Sequence, residues 1–514
     1  MVILRRAPLL SVVGIVVLLL GASSARATPL DFVPVGDPLE DELRALEIAG
    51  HSPTLPHFGM RPLQIVELPD SLDSQDPAVA LTLARVRRAV ARDRFFAVPV
   101  PGSTPRLVQQ ALGEDQRFEI SVGLEGRGTA AQARDPFLHP GSGVHMRFAA
   151  QSGGWLGYSH VMIAEVEDGL QYAEAVFPNS ELVLHSEEAY LAYHGDSSSW
   201  AVQLGRSRWH WGPGYEGTLL LSRTSAPLDG GAARFRIAAL RADAMVFSST
   251  LKTRAGERLA AHRLEWQPWD PLRIGIHEAV RYQSSAPEPL YVIGLLPYTV
   301  VQNLLVQQEP DSFDVLRNNV IAGLDVAWRI AHGTRVYGEL LIDDLRTDNS
   351  TAVNKIAWQL GLEGVGTIRE QRLTWGVEYT RLSRFVYTSF FGHTFEALDQ
   401  PIGFPTGPDA RRVTARGTWD PAVDWQVFAR AARTDIGESG IDVPYVPGSP
   451  SVPTLEFAGV VEQAHEGEIG LRWWPATGID VAVSVGYERI EQAGHVPGAT
   501  QDDTRASLSL RLIR

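Results

Sequence analysis

Cysteine is missing from all 514 residues of the chain. A chain without thiols has no disulfide framework, no thiolate metal site and no cysteine nucleophile. Lysine is nearly missing as well, because Lys252 and Lys355 are the only two, so arginine carries almost all of the positive charge. The stability of the fold therefore has to come from packing or from a closed sheet.

Positive charge is in deficit along the whole chain. Lysine and arginine together number 46 against 60 aspartates and glutamates, which leaves a formal net charge of −14. Nucleic-acid-binding proteins hold the phosphate backbone with clustered basic residues. The charge balance therefore argues against nucleic acid as a partner.

Long apolar runs are missing after the N-terminus. The nearest candidate for a second apolar segment, Tyr291 to Val306, is interrupted by Pro297, Gln302 and Asn303. A helix needs about 20 predominantly apolar residues to cross a bilayer. The sequence therefore predicts a periplasmic or secreted soluble protein, or a barrel that crosses the outer membrane with strands.

The first 27 residues have the parts of a secretory signal peptide. Two arginines precede an apolar run over residues 7–21, and Ala25 and Ala27 have the small-residue spacing that a signal peptidase recognises. An uncleaved membrane anchor is the alternative, but the run is shorter than a spanning helix requires. We expect residues 1–27 to be a signal peptide.

Residues 28–115 are predicted to form a small helical segment. Asp37 followed by Pro38, and Asp76 followed by Pro77, each combine a natural N-cap with proline at the first helical position. A third short helix is expected between Pro105 and Leu112. The apolar stripes of the first two helices consist of Leu39, Leu43 and Leu46, and of Val79, Leu83, Val86 and Val90.

The second helix also carries a basic face. This face could meet an anionic polymer, membrane headgroups or acidic residues at a barrel rim, and a solvated face is the simplest interpretation. The residues that form it are Arg85, Arg87, Arg88, Arg92 and Arg94.

From about Arg117 the apolar period changes from 3.6 to 2. Stretches such as RFEISVGLEG, KIAWQLGLEG and IDVAVSVGYERI alternate apolar with polar residues over roughly ten positions, the length of a tilted strand that crosses a bilayer. Aromatic residues cluster near the strand ends, as in interfacial girdles. Soluble sandwiches or propellers are the alternative. We predict an all-β protein with a small helical N-terminal segment, in which residues 116–514 form a large antiparallel transmembrane β-barrel of roughly 16–18 strands.

Catalytic constellations are hard to find in this pattern. His277 and Glu278 lie in a strand pattern without the second histidine of a metalloprotease helix. Asp343 and Asp344 are adjacent, so their side chains should point to opposite faces of a strand rather than share a site. We expect no catalytic residues, no metal and no cofactor.

One stretch, GRSRWHWGPGYEG at residues 205–217, stands out from the alternating strands. With the following TLLLSRTSAP it resembles the core pattern of the Wzi family of capsule-assembly outer-membrane proteins. Thr224 and Ser225 replace the family's usual asparagines. The matching positions are Arg208, Trp209, Gly212, Pro213, Gly214, Leu219, Leu220, Leu221, Ser222, Ala226 and Pro227.

Three further regions are similar to the same family. They are the start of the N-terminal helical segment, a strand pair with Asn319, Gly323 and Asp325, and a late aromatic segment that leads to Gly403, Gly407, Pro408, Asp409 and Ala410. The resemblance implies a barrel of roughly eighteen strands in the outer membrane with a helical bundle at its periplasmic end. It also implies a lectin-like protein, not an enzyme, that helps to attach capsular polysaccharide to the cell surface.

The resemblance makes the 205–217 stretch a candidate polysaccharide site. Trp209, Trp211 and Tyr215 could stack on sugar rings, and Arg206 and Arg208 could pair with carboxylates of acidic sugars. The alternative is structural: the stretch could be a turn, built on the family-motif residues Gly212, Pro213, Gly214, Ser222, Ala226 and Pro227, that packs in the girdle or the lumen. Extracellular loops are an equally plausible binding surface.

The function predicted from the sequence is lectin-like binding and surface attachment of capsular or extracellular polysaccharide. The expected partners are that polysaccharide and outer-membrane lipid, and we expect a monomer in the outer membrane of a Gram-negative-type cell. A porin-like channel or a polysaccharide export conduit is the alternative, because such proteins are built on the same kind of barrel.

Overall fold

The computed structural model describes most of the chain from residue 31 onwards. The expected signal peptide, residues 1–27, lies outside the described residues. Those described are 31–33, 35, 38–50, 59–61, 63–65, 76–93, 108–113, 116–131, 137–138, 142–165, 175–177, 182–194, 199–251, 256–308, 318–345, 353–450, 452–476 and 478–513.

Eighteen strands form one closed antiparallel barrel. Each strand pairs with the next in the chain, and the last pairs with the first, from Arg505 opposite Ala131 to Ile513 opposite Gly123. The strands are β1 Gln116–Ala131, β2 Gly143–Ser152, β3 Trp155–Glu165, β4 Leu182–His194, β5 Trp200–Ser207, β6 Leu228–Ile237, β7 Ala242–Thr250, β8 Glu257–Trp269, β9 Leu272–Gln283, β10 Asn319–Ala331, β11 Thr334–Asp344, β12 Lys355–Ile368, β13 Gln371–Leu382, β14 Ala410–Ala422, β15 Trp425–Ile436, β16 Glu462–Ala476, β17 Ile479–Glu491 and β18 Thr500–Ile513.

The remaining described elements are helices and short strands. The helices are α1 Pro38–Ile48, α2 Pro77–Asp93, α3 Pro289–Ile293 and α4 Tyr298–Gln308, with 3-10 turns at Ala238–Leu240 and Ala493–His495. The short strands are Asp31–Val33, Met60–Arg61, Leu63–Ile65, Val108–Gly113, Phe137–Leu138, Ala175–Val176, His210–Trp211, Glu396–Ala397 and Gln400–Pro401. None of the described helices is both long enough and apolar enough to cross a membrane.

The two ends of the barrel differ in their connections. At one end, here the turn end, tight turns join the strands, and Arg369 and Glu370 between β12 and β13 have φ of 51° and 66°. Two successive positive φ angles make a turn whose twist matches the flanking strands. At the other end, here the loop end, long connections follow β5, β9, β13 and β15. The predicted barrel architecture is confirmed.

The faces of the barrel are inverted relative to a soluble protein. Apolar side chains point outward and are exposed, for example Leu204 (65%), Leu360 (58%) and Ile469 (60%). Charged side chains such as Arg263 and Glu363 point inward and are buried. An apolar outer belt around a polar interior is the pattern of a membrane-spanning barrel.

The first two helices begin where the sequence predicts. Asp76 Oδ1 accepts a hydrogen bond from the Ala78 amide at 2.9 Å, which caps α2. Gly50 follows α1 with a φ of +88°, the left-handed conformation of a C-terminal cap. The apolar stripes of α1 and α2 pack on each other, with Leu46 and Val86 fully buried.

The prediction of a third helix between Pro105 and Leu112 is wrong. Val108–Gly113 is a strand that pairs with the beginning of β1, with Val108 opposite Ile120. An isolated helix of two turns is marginal in water, whereas the neighbouring strand offers a row of backbone partners. Tertiary pairing therefore overrides the local helical pattern.

Candidate functional site: the lumenal plug and the loop end

The motif that the sequence singles out lies inside the barrel. Residues 208–227 connect β5 to β6 and contact the inner faces of several strands. Leu219 N donates to Glu339 Oε1 of β11 at 2.9 Å, and Tyr215 N donates to Glu378 Oε2 of β13 at 2.8 Å. We call residues 208–227 together with residues 383–409, which join them in the lumen, the plug.

Backbone pairing holds the plug segment in shape. Trp211 N donates to Leu221 O at 2.9 Å, and Gly212 N donates to Gly59 O at 3.0 Å. The short strand His210–Trp211 pairs with Met60–Arg61, which belongs to the N-terminal segment. The N-terminal segment therefore contributes directly to the lumenal structure.

The two tryptophans of the motif are part of an apolar core in the lumen. Trp209 is 4% exposed and Trp211 is 0% exposed. The Trp209 ring lies 4.7 Å from that of Phe247, centroid to centroid. Neither indole presents a face to a sugar in this structure, so the proposed stacking by these two residues stays a prediction without geometric support.

The Gly-Pro-Gly turn is required by close packing. Gly212 has a φ of +133°, and a Cβ at this position would lie 2.9 Å from Glu339 Oε2. A Cβ at Gly214 would lie 2.0 Å from the carbonyl oxygen of Gly217. Pro213 O accepts a hydrogen bond from Arg44 Nη2 of α1 at 2.7 Å. Here the glycines permit the close approach of backbone and side chains.

The remaining family-motif residues are buried in the same place. Ser222 is 0% exposed, and its amide donates to Ile402 O at 2.9 Å, which ties the two plug segments together. Ala226 is 1% exposed, and Pro227 is buried beside it. These positions shape the plug and its return to β6.

His210 has a structural role in the plug. Its Nε2 donates to Gly214 O at 3.1 Å, and its Nδ1 accepts from Arg223 N at 3.2 Å. Burial, reinforced by the nearby Arg61 and Arg223 guanidinium groups, holds the pKa of His210 well below its ordinary value. The imidazole is therefore neutral and has both nitrogens engaged.

Both arginines of the candidate site are paired with carboxylates of the protein. Arg206 Nε donates to Asp229 Oδ1 at 2.7 Å, and Arg208 pairs with Glu187 of β4. Arg208 also donates to the carbonyl oxygen of Ser225. A sugar carboxylate would have to replace Asp229 or Glu187, so pairing of these arginines with polysaccharide stays a prediction.

Tyr215 has a different environment, because it borders a cavity of about 60 Å³. The cavity lies near the turn end between α1 and strands β12–β15. Arg416 covers the tyrosine ring at 3.3 Å from the centroid, and Tyr215 Oη donates to Asp41 Oδ2 at 3.4 Å. The negative charge of Asp41, followed by burial, raises the pKa of Tyr215. Arg44 and Trp375 also line this cavity.

The segment between β13 and β14 is the second half of the plug. Tyr387 Oη donates to Leu219 O at 2.5 Å and accepts from Phe404 N at 3.1 Å. Phe395 and Phe404 are fully buried against the tryptophan core. A Cβ at Gly403 would lie 2.3 Å from Tyr387 Oη, which explains the glycine that the family resemblance marks there.

The tip of this second segment is exposed at the loop end. Phe390 and Phe391 are 49% and 44% exposed, with ring centroids 5.3 Å apart. Phe385 lies 5.7 Å from Tyr445 of the next long connection, and the Arg384 guanidinium lies 5.5 Å from the Phe385 ring. We call the surface formed by Arg384, Phe390, Phe391 and Tyr445 the loop-end surface.

Sequence reasoning did not select these loop-end residues. The signal available was the run FVYTSFFGHTF, which is dense in aromatics and does not alternate, between two clear strand patterns. Exposed large aromatics on a well-anchored loop are candidates for binding.

The carboxylates considered for catalysis are separated. Asp343 is buried and accepts from Tyr387 N at 2.7 Å, whereas Asp344 pairs with Lys355 Nζ at 2.8 Å. His277 lies in the lumen within 2.9 Å of Arg263 Nη1, and Glu278 points to the outer wall. In the part of the chain that the structure describes, no group of three His, Asp or Glu side chains is arranged to hold a metal ion.

Three solved structures that are similar to this chain differ widely in their degree of similarity. Wzi from Escherichia coli, an outer-membrane protein involved in group 1 capsule assembly and a carbohydrate-binding β-barrel, has a TM-score of 0.63 at 14% identity, over 94% of this chain and 99% of that one. OccD3 from Pseudomonas aeruginosa has a TM-score of 0.45 at 10% identity, over 81% of this chain and 96% of that one. OprD from Pseudomonas aeruginosa has a TM-score of 0.43 at 9% identity, over 77% of this chain and 95% of that one. No curated protein matches the sequence.

The sequence itself matches a family over most of its length. Residues 133–505 match the family described as capsule assembly protein Wzi. This range contains both plug segments and runs from β2 to within β18. The chain therefore belongs to the Wzi family of capsule assembly proteins.

Proposed function

We propose that this protein binds capsular or extracellular polysaccharide at its loop-end surface and holds it non-covalently on the cell. The observation that carries the proposal is the exposed Phe390–Phe391 pair on a segment that is anchored in the lumen by Tyr387 and Phe404. Membership of the capsule assembly family supports the assignment to capsule. The protein would act as a monomer in the outer membrane.

The unequal ends of the barrel support an orientation with the turn end toward the periplasm. Outer-membrane barrels have short turns toward the periplasm and longer loops outside. On this basis the turn end, with α1 and α2 packed against β12 and β13, faces the periplasm. The loop-end surface then faces the polysaccharide.

The chemistry of the loop-end surface suits sugars. Aromatic rings can stack on the apolar faces of pyranoses, and the planar guanidinium of Arg384 can bind a sugar carboxylate or hydroxyls. Arg384 Nε also donates to Ser439 Oγ at 3.2 Å, which joins two long connections. A surface that is already ordered loses less entropy when it binds a polymer.

Retention of labelled capsular polysaccharides on liposomes that carry the folded protein would test this function. We expect the wild type to retain an acidic polysaccharide. The double variant Phe390→Ala/Phe391→Ala should bind about tenfold more weakly, since the loss of stacking on two rings is worth roughly 1.4 kcal/mol. Val496→Ala is a matched control at the same end of the barrel, because Val496 is 55% exposed. Retention that is equal in the wild type and the double variant would contradict the proposed surface.

A third variant tests the site predicted from the sequence. Tyr215→Ala removes the residue of the 205–217 motif that borders the cavity near the turn end. If Tyr215→Ala abolishes retention and the double phenylalanine variant does not, the polysaccharide contacts the motif instead of the loop end. Glycan-array binding by the same three proteins would identify the sugar.

The alternative, a channel or export conduit, has to account for the plug. Trp211, Leu219, Leu220 and Tyr387 are all fully buried in the lumen. An open path for a polymer would require this core to move. No contact among the described residues favours that movement over binding at the loop end.

A further inference from the structure

The connection between β9 and β10 contains a segment with an unusual composition. Residues 289–308, PLYVIGLLPYTVVQNLLVQQ, include no Asp, Glu, Lys, Arg or His in a chain of which 21% is charged. A connection at the loop end that reached into water would be expected to be polar. The segment forms helices α3 and α4, called the side hairpin below.

The side hairpin packs on the outer wall of the barrel. Tyr291, Tyr298 and Val301 are buried together with Ala260 of β8 and Val280 of β9. In β9, Val280 alternates on the same face as Ile276, which is 55% exposed and belongs to the outer apolar belt. The hairpin therefore covers part of the surface that would otherwise face lipid.

Beneath the side hairpin lies an ionisable pair on that outer face. Glu278 Oε2 accepts from Tyr298 N at 2.6 Å and lies 3.4 Å from His262 Nε2. The His262 ring lies 4.3 Å from the Tyr298 ring. Ionisable groups that face hydrocarbon are costly unless they are covered and paired. The hairpin provides both the cover and a hydrogen bond.

The opposite surface of the side hairpin is apolar and exposed. Leu295 is 83% exposed, which is high even for a surface residue. The other exposed members are Ile293 (52%), Leu296 (41%), Val300 (43%) and Leu304 (38%). A separate stripe of α4 is polar, with exposed Thr299, Asn303 and Gln307 at successive i, i+4 positions. An uncharged helix with one apolar and one polar exposed stripe suits the boundary between acyl chains and headgroups.

We propose that the side hairpin is embedded in the outer leaflet, where its exposed apolar side chains contact lipid acyl chains. The patch continues the lipid-facing belt, because Ile276 and Leu324 lie exposed on the strands next to it. The polar stripe faces the headgroups. Acyl chains are therefore the occupant that the position and composition favour over another protein.

The absence of cysteine makes the proposal directly testable. Single variants Leu295→Cys, Asn303→Cys, Ile276→Cys and Val446→Cys would each carry a nitroxide label on the folded full-length protein in phospholipid bilayers. Ile276 reports the lipid-facing wall, and Val446, 49% exposed in the connection after β15, reports water. For each label, the rate of collision with oxygen, which concentrates in hydrocarbon, is compared with the rate of collision with a water-soluble nickel chelate.

We expect the Leu295 label to behave like the Ile276 label, with a high ratio of oxygen to nickel collisions, and the Asn303 label to have a lower ratio. Quenching of a fluorophore at Leu295 by doxyl-labelled lipids should agree. A Leu295 label that resembles the Val446 label overturns the proposal. Spin–spin broadening at Leu295 with protection from both reagents also overturns it, because a second copy of the chain would then cover the patch. Heat-modifiable migration in gels confirms that each variant is folded.

Discussion

Trp211 shows how a residue whose chemistry suits sugar binding can lie inside a packed core. Its indole is fully buried in the lumen, in contact with the N-terminal strand residue Met60 and the leucines of the plug. Tryptophan can stack on sugars only if one ring face is open. The local sequence cannot distinguish the two roles, because the covering residues come from distant parts of the chain.

Trp211→Ala should destabilise the folded barrel by about 3–5 kcal/mol, because it leaves a large cavity in a core that can collapse only in part. Trp200→Ala is the comparison, since Trp200 is 38% exposed at the beginning of β5, and we expect a smaller loss. Denaturant titration in detergent micelles measures both. Equal losses for the two variants would mean that Trp211 is not a core residue.

Gly212→Ala should destabilise the plug by about 1–3 kcal/mol. The added methyl group would meet Glu339 and Thr218 at 2.9 Å, on backbone with a φ of +133° that side chains rarely adopt. Gly366→Ala on β12 is a matched control, because a Cβ there would have no neighbour within 4 Å. Thermal unfolding midpoints compare the two. An unchanged midpoint for Gly212→Ala would contradict the steric argument.

At the scale of elements, α1 is held to the barrel by buried ion pairs. Arg44 Nε lies 2.9 Å from Glu363 Oε2, Glu47 Oε2 accepts from Arg335 Nη1 at 2.8 Å, and Glu42 Oε1 accepts from Arg372 Nη2 at 2.9 Å. On the basic face of α2, the described Arg85 also forms a buried ion pair with the barrel. Arg85 Nη1 lies 2.7 Å from Asp420, an acidic residue near the barrel rim.

Low pH should weaken the docking of α1 to the barrel, because the Glu42 carboxylate becomes protonated. Burial raises the pKa of this carboxyl, but Arg372 and Arg85 outweigh burial and hold the pKa below the ordinary value of 4.5. The docked helix therefore binds a proton less readily than the free one. The contribution of Glu42 to docking is complete above pH 4.5 and declines as the pH falls below that value.

Hydrogen exchange of residues 38–48, corrected for intrinsic rates, measures this docking as a function of pH. We expect protection to fall below pH 4.5 in the wild type. Glu42→Gln should weaken docking by about 1–3 kcal/mol near neutral pH, because Arg372 loses one of its two carboxylate partners and keeps Asp420, and should remove the Glu42 share of the acid effect. A variant with the same pH profile as the wild type would rule out Glu42 as the responsible group.

At the scale of the whole molecule, the plug fills one side of the lumen more densely than the other. On β8–β12, the inward-facing side chains of Arg263, Glu339 and Glu363 are at most 1% exposed. On β15 and β16 the inward-facing Arg430 and Glu466 are 30% and 27% exposed. The lumen is therefore less densely packed along β15 and β16 than along β8–β12.

Planar-bilayer recordings should show small or rare conductance for the wild type, because the plug blocks most of the barrel. Glu378→Ala should increase the frequency of larger openings. Glu378 accepts hydrogen bonds from Tyr215 N at 2.8 Å and Glu216 N at 3.3 Å, and these bonds tie the plug to β13. Asp270→Ala, at an exposed position of the turn end, is the control. Large, steady wild-type channels would favour the conduit interpretation.

The sequence alone determined the class of fold and the start of the helices. Period-2 alternation over strands of membrane-spanning length predicted the barrel, because lipid outside and polar groups inside impose that pattern on each strand. Proline after an N-cap aspartate predicted α1 and α2, because caps are local in the chain. The strand Val108–Gly113 escaped the same reasoning, because its hydrogen-bond partners are in β1 and not within itself.

The burial of the 205–217 motif, in contrast, is set by tertiary packing. The resemblance to a family selected these residues, but their burial depends on Tyr387, Phe404 and Met60, which lie more than a hundred residues away. The location of the side hairpin on the outer wall depends on Glu278 and Val280 in the same way. Packing between distant segments sets exposure, and exposure separates a residue that binds a ligand from one that fills the barrel.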